Sequence, residues 1–163
     1  MDLAGVHNFQ IIRGKRGSCH AILSCTEDGK ITLNDHCKDF ESREVWHLAP
    51  VDGEENVYVI TTKGTVKHGR VLTVEDPGGE PHVRLEPPVP ASSPNGAYDR
   101  QKWHVEIENL CGAPQMSYIK YNGTAKGNKV YLNASQSGSD VDLAEGDNGV
   151  GLVRWQVQQP WNA

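Results

Sequence analysis

Seven histidines and twenty-one acidic residues give this chain ample material for acid–base or metal chemistry, so spacing decides the matter. No G-x-S-x-G elbow, H-E-x-x-H pair or phosphate-binding loop occurs, and no G-x-G-x-x-G joins a strand to a helix. His47 and His104 each follow a tryptophan. One step along a strand reverses the face, so both imidazoles are expected outside, away from each other. His7, His20, His36, His68 and His82 are scattered without the short spacing of a ligand set. Asp140, Asp142, Glu145 and Asp147 crowd carboxylates that a calcium ion would favour, but they lack the D-x-[DN]-x-[DN]-G loop order. A solvated hairpin is the expectation there. Catalysis is not expected, nor is a metal or a cofactor.

The cysteines, at 19, 25, 37 and 111, fit no C-x-x-C metal pattern. Cys19 and Cys25 flank the apolar run Ala21–Leu23 and read as small strand residues; reduced thiols are expected. What remains is binding. A sugar site needs a flat apolar or aromatic face for the C–H side of the ring and planar polar groups for the hydroxyls. A protease inhibitor needs an exposed, stiff loop; Lys15 and Arg16, between Gly14 and Gly17, would offer two basic residues to a trypsin-like pocket.

The elements that would carry either site are legible from a repeated tryptophan. Trp103 lies in Gln101-Lys-Trp-His-Val105, and similar runs surround Trp46 and Trp155, 57 residues before it and 52 after it. In each an aliphatic residue follows two places on, the period of a strand with one buried face. A fixed period of this size signals structural repeats. Helical periodicity is nearly absent, while short runs rich in Val, Ile, Thr and Tyr alternate with Gly, Asn, Asp and Pro. The runs fall into three groups of four, within repeats at about 6–54, 55–112 and 113–160 of a single domain, 1–163. Twelve short strands in three sets of four predict a β-trefoil, in which six strands form a barrel and six form capping hairpins. A propeller of three blades is outside the usual range, and a sandwich would not explain the threefold tryptophan. All three tryptophans are expected to point inward.

The net charge is −5, with acids and bases interspersed. Nucleic acid is therefore not an expected partner, because phosphate neutralisation needs a concentrated basic face. No apolar stretch reaches the roughly 18 residues that span a bilayer, so membrane insertion is not expected. The first residues lack the basic and apolar regions of a signal peptide, and a cytoplasmic location, with action outside the cell only after release, is the expectation.

One stretch breaks the regularity. Glu86-Pro-Pro-Val-Pro-Ala-Ser-Ser-Pro-Asn-Gly-Ala-Tyr-Asp-Arg100 carries four of the nine prolines and joins the last two strands of repeat two. A stiffened surface loop has little conformational freedom left to lose on contact, which suits it to binding.

The tryptophan strands resemble the Q-x-W repeats of ricin-B-like trefoil lectins, and Val6–Ile12 looks like the first strand of their fungal members. The last repeat, with Val130–Ser135, Ser139–Leu143 and Val153-Arg-Trp155, is similar to that of small fungal defence lectins that bind fucosylated N-acetylglucosamine cores. Only Gln101-Lys-Trp103 is a strict Q-x-W, since Glu44 and Val153 stand at the other two glutamine positions. The Asp-plus-aromatic pattern of galactose sites is missing, and Arg70–Val74 replaces the hairpin tryptophan of the defence lectins. The resemblance implies a glycan partner held against repeat two. Leu85 would line the floor, Asn95 would bond a hydroxyl or acetamide, Tyr98 would cover the sugar, and Trp103 would support the site from beneath. The rival resemblance is to trefoil protease inhibitors of the mycocypin and soybean-Kunitz type, acting through an exposed loop. Oligomeric state is left open.

Overall fold

A computed structural model describes residues 3–12, 20–26, 28–36, 44–63, 69–108, 116–134, 140–146 and 152–158. Thirteen strands are present among them: β1 (Gly5–Ile12), β2 (His20–Cys25), β3 (Ile31–His36), β4 (Trp46–Pro50), β5 (Val57–Thr62), β6 (Val71–Glu75) and β7 (His82–Glu86), followed by β8 (Trp103–Val105), β9 (Met116–Ser117), β10 (Ile119–Tyr121), β11 (Val130–Ala134), β12 (Val141–Glu145) and β13 (Trp155–Gln158). The sequence predicts twelve. The extra one arises because Met116–Tyr121 is divided at Tyr118.

That division has a physical reason. The first strand of each repeat changes partners along its length. In repeat three, β9 pairs with β13 while β10 pairs with β8 and β11. At the change-over the Ser117 hydroxyl accepts the Glu106 N–H at 3.0 Å and donates to the Tyr118 carbonyl at 2.6 Å, so a side chain satisfies backbone groups where the ladder is interrupted.

Pairing of β13 with β1, β1 with β4, β4 with β5, β5 with β8 and β8 with β10 runs round a ring that β9 closes on β13. The ring is a six-stranded barrel without free edges. Three hairpins, β2–β3, β6–β7 and β11–β12, close one end.

Alternation fills the interior. Strands β4, β7 and β11 bury every second residue at their starts. Phe9, Ile60 and Ile119 from the first strands are fully buried, as are Trp46, Trp103 and Trp155 from the last. Each hairpin supplies a leucine pair directly across its ladder: Leu23 with Leu33, Leu72 with Leu85, Leu132 with Leu143. Each indole Nε1 then donates to the carbonyl of the leucine in the second strand of its own repeat: Trp46 to Leu23 at 3.0 Å, Trp103 to Leu72 at 2.8 Å and Trp155 to Leu132 at 3.1 Å. The tryptophan thus joins barrel to hairpin in all three repeats, burying a large ring while satisfying its one polar atom. Cys25 is buried in this core. The other three cysteines, and Lys15 and Arg16, lie outside the described residues.

Candidate functional site

The Pro-rich loop of repeat two is built from successive tight turns. Ser93 N donates to Pro90 O at 3.0 Å and Ala97 N to Pro94 O at 3.4 Å. In the second turn Asn95 and Gly96 have φ of 63° and 69°. Two successive residues with positive φ are what a type I′ turn requires, and Asn-Gly is the pair that adopts them at least cost. A 3-10 turn, Asp99–Gln101, then delivers the chain to β8.

Two adjacent side chains fasten this loop from opposite sides. Gln101, only 2% exposed, accepts the Val89 N–H at 3.1 Å and donates to Pro87 O at 2.9 Å and Thr73 Oγ1 at 3.2 Å. Its amide closes the base of the loop onto β6. On the other side Lys102 Nζ reaches Glu54 Oε2 at 2.7 Å and Asp99 Oδ1 at 3.2 Å and lies 5.1 Å from the centroid of the Tyr98 ring. The Glu54 hydrogen bond is the main reason that the ammonium titrates above its ordinary range; partial desolvation opposes it and Asp99 adds to it. Tyr121 next to this cluster also titrates high, chiefly because burial disfavours its phenolate.

Between the hairpin and the fastened loop is a recess of about 430 Å³. Pro87, Val89 and Ala97 give it an apolar side, while Glu75, Asp76, Glu86, Arg100, Thr73 and Gln101 give it a polar one. Glu75 is already paired with Arg84 at 2.6 Å. Glu86 and Arg100 are different. Among the described residues neither side chain enters an ion pair or hydrogen bond. The two residues that bound the Pro-rich stretch therefore present a planar carboxylate and a planar guanidinium beside an apolar wall.

The four residues expected at a glycan site are divided by the fold. Leu85 is 6% exposed and Trp103 is fully buried, both in the hydrophobic core beneath the loop. Asn95 is exposed at the type I′ turn and Tyr98 is half-buried against Lys102. None of the four lines the recess. Its polar residues escaped the sequence because Glu75, Asp76, Glu86 and Arg100 belong to no motif. The signal that could have found two of them is positional, since Glu86 and Arg100 end the one stretch that breaks the repeat.

Where the three hairpins meet, a second opening of about 440 Å³ is lined by residues of each. Asp142, from the acidic hairpin, is engaged there. Its carboxylate lies 2.9 Å from His82 Nδ1 and accepts the Val83 N–H at 3.1 Å, which ties repeat three to repeat two. Among the described residues no three His, Cys, Asp or Glu side chains converge as metal ligands.

Comparison with solved structures agrees with the barrel and hairpin arrangement. The designed threefold-symmetric protein ThreeFoil superposes with a TM-score of 0.55 at 14% identity, over 94% of this chain and 98% of its own. A structure described as the BEL beta-trefoil gives 0.53 at 16%, covering 97% and 95%. The fold is a β-trefoil. A mosquitocidal holotoxin contains a similar trefoil, at TM-score 0.62 and 13% identity over 97% of this chain, which spans 17% of the toxin. No family model and no curated protein matches the trefoil by sequence. At these identities the likeness is one of fold, and a fold hosts many functions.

Proposed function

We propose that this trefoil is a non-catalytic lectin of the fungal defence type, whose partner is an N-acetylglucosamine-containing or fucosylated glycan held at repeat two. One observation carries the reading. Glu86 and Arg100, which enter no ion pair or hydrogen bond among the described residues, present planar polar groups beside Pro87, Val89 and Ala97 in a single recess. A pyranose has the matching character, with hydroxyls at its rim for a carboxylate and a guanidinium and a C–H face for apolar side chains. Gln101 and Lys102 fix the loop in advance, which reduces the ordering cost of binding. In this reading Leu85 and Trp103 support the site from the core, while Asn95 and Tyr98, on the same loop but outside the lining of the recess, would meet a longer glycan. The protein works without metal or cofactor, in the cytoplasm or after release from the cell.

A glycan array probed with the wild type and with Arg100→Ala and Glu86→Gln tests this. Binding to N-acetylglucosamine-containing glycans, weakened about tenfold or more in both variants, is the expected result. No binding to any glycan, together with inhibition of trypsin or papain that Lys15→Ala/Arg16→Ala abolishes, would establish the inhibitor reading in its place.

A further inference from the structure

The threefold repeat supplies its own internal control. Trp46, Trp103 and Trp155 pair across their own first strands with His7, Tyr58 and Ser117. The next residues along, Asn8, Val59 and Tyr118, are therefore equivalent outer positions on the barrel wall. The indole bonds to Leu23, Leu72 and Leu132 likewise make Ile22, Val71 and Tyr131 equivalent. Three residues after each tryptophan come Ala49, Glu106 and Gln158.

Framework positions keep their residue type round the molecule, but these wall positions do not. At the seam of repeats one and two they are Val59, Val71 and Ala49, and at the seam of three and one they are Asn8, Ile22 and Gln158. At the seam of two and three they are Tyr118, Tyr131 and Glu106. Ile22, Val71 and Asn8 are buried at their seams. Tyr118 and Tyr131 are half-exposed at theirs, over an open groove of about 370 Å³.

The groove is built rather than incidental. The two tyrosine rings stand edge to face, with centroids 5.7 Å apart and planes at 68°, so one forms a floor and the other a wall. Arg154 lies 5.1 Å from the Tyr118 centroid and 3.4 Å from Glu108, which pins that ring from outside the groove. Glu106 is 3.1 Å from His104 Nε2. Lys120 also lines the groove, and its ammonium has no ion pair or hydrogen bond among the described residues. Two carboxylates face Lys120 and Arg154, so neither an anion nor a cation gains from the local charge. A neutral ligand with an apolar face and many hydroxyls does.

We propose that this seam is a second saccharide subsite on the barrel wall, distinct from the recess of repeat two. A neutral pyranose would lie with its C–H face on Tyr131 and Tyr118, and Glu106, Glu108 and Lys120 would bond its hydroxyls. The proposal rests on the carbohydrate-binding reading above and makes the protein bivalent within one domain, so that one glycan chain or two can be held at once.

The test is a titration of the full ¹⁵N-labelled chain with N-acetylglucosamine, L-fucose and N,N′-diacetylchitobiose, using N-acetylneuraminic acid as the charged control. Saturable shifts at the amides of 104–106, 118–120 and 131 with a neutral sugar are expected. Tyr131→Ala should weaken that class of shifts about tenfold, whereas Tyr131→Phe should retain it. Shifts confined to 73–76 and 86–101 would overturn the seam and leave the recess reading standing. Shifts confined to the seam would uphold it and remove the recess. Tyr131→Ala without effect, or a preference for the charged sugar, would also overturn the seam, and no shift with any neutral sugar would overturn both.

Discussion

The indole Nε1 of Trp103 donates to the carbonyl oxygen of Leu72 at 2.8 Å, across 31 residues of chain. Leu72 faces Leu85 across the β6–β7 ladder, and both leucines join Trp103 in the core. The core beneath the Pro-rich loop and the barrel wall are thus one packed unit. A disturbance at Trp103 therefore reaches the base of the Pro-rich loop through Leu72 and Leu85.

Truncating this ring should therefore be costly. Trp103→Ala is expected to lower unfolding free energy by roughly 3–5 kcal/mol through cavity formation. Trp103→Phe keeps most of the apolar area but removes the donor from Leu72, and should cost roughly 1–3 kcal/mol. Urea denaturation of both variants checks the order. A Trp103→Ala variant as stable as wild type would contradict the buried role.

Gln101 makes a more local claim. Its single amide serves Val89 N, Pro87 O and Thr73 Oγ1, so Gln101→Ala removes three hydrogen bonds at the root of the loop, while Thr73 keeps its bond to Val71 O. The expected loss is about 1–3 kcal/mol. Amide exchange at Val89 should accelerate by more than exchange at barrel strands, because the loop root opens while the barrel stays closed. Uniform acceleration would show that Gln101 supports the whole domain instead.

How much of this was visible in the sequence follows from the same residues. Trp46, Trp103 and Trp155 announce the repeat because the fold needs the same large ring at the same point three times, and strand alternation around them is a local property. The Pro-rich loop was equally legible, since proline and Asn-Gly punctuation act within a few residues. The seam was not. Tyr118, Tyr131 and Glu106 come together only through the registers of β8 with β10 and β10 with β11, and nothing local marks them as neighbours. Leu85, expected as a floor residue, also faces Leu72 across the β6–β7 ladder, a relation that needs the register as well.

Lys102 and Tyr121 set the behaviour at high pH. Both have folded-state pKa values raised above their ordinary 10.5 and 10.0, Lys102 mainly by the Glu54 hydrogen bond and Tyr121 mainly by burial. A raised folded pKa contributes stability that is complete below the unfolded value and is lost as pH rises through the folded one. These two groups should leave stability unchanged up to about pH 10 and reduce it above that. Denaturant midpoints across that range should fall less steeply in Lys102→Met than in wild type.

His7 sets the acid side. It is 6% exposed, and neither ring nitrogen has a hydrogen-bond partner among the described residues. Burial is the main cause of its lowered pKa, and nearby His47 adds to the effect; the Leu3 backbone pulls the other way without reaching hydrogen-bond geometry. A lowered folded pKa contributes stability present above the ordinary value of 6.5 and lost as pH falls through the folded one. Wild type should therefore weaken below pH 6.5, and His7→Phe should weaken less over the same interval. Parallel pH profiles for the two proteins would exclude His7 as the source.

Asn95 allows turn geometry and ligand contact to be separated by a single atom count. Its φ of 63° is reached by glycine without penalty, whereas alanine meets a steric cost. Asn95→Gly should keep the turn and stay within about 0.5 kcal/mol of wild type, while Asn95→Ala should lose about 1 kcal/mol. If the amide of Asn95 also bonds the glycan, Asn95→Gly weakens binding several-fold on an unaltered fold, because only the side chain has gone. Equal glycan affinity in wild type and Asn95→Gly would reduce Asn95 to a residue chosen for its backbone. The proposed recognition at repeat two would then rest on Glu86 and Arg100, whose side chains enter no ion pair or hydrogen bond among the described residues.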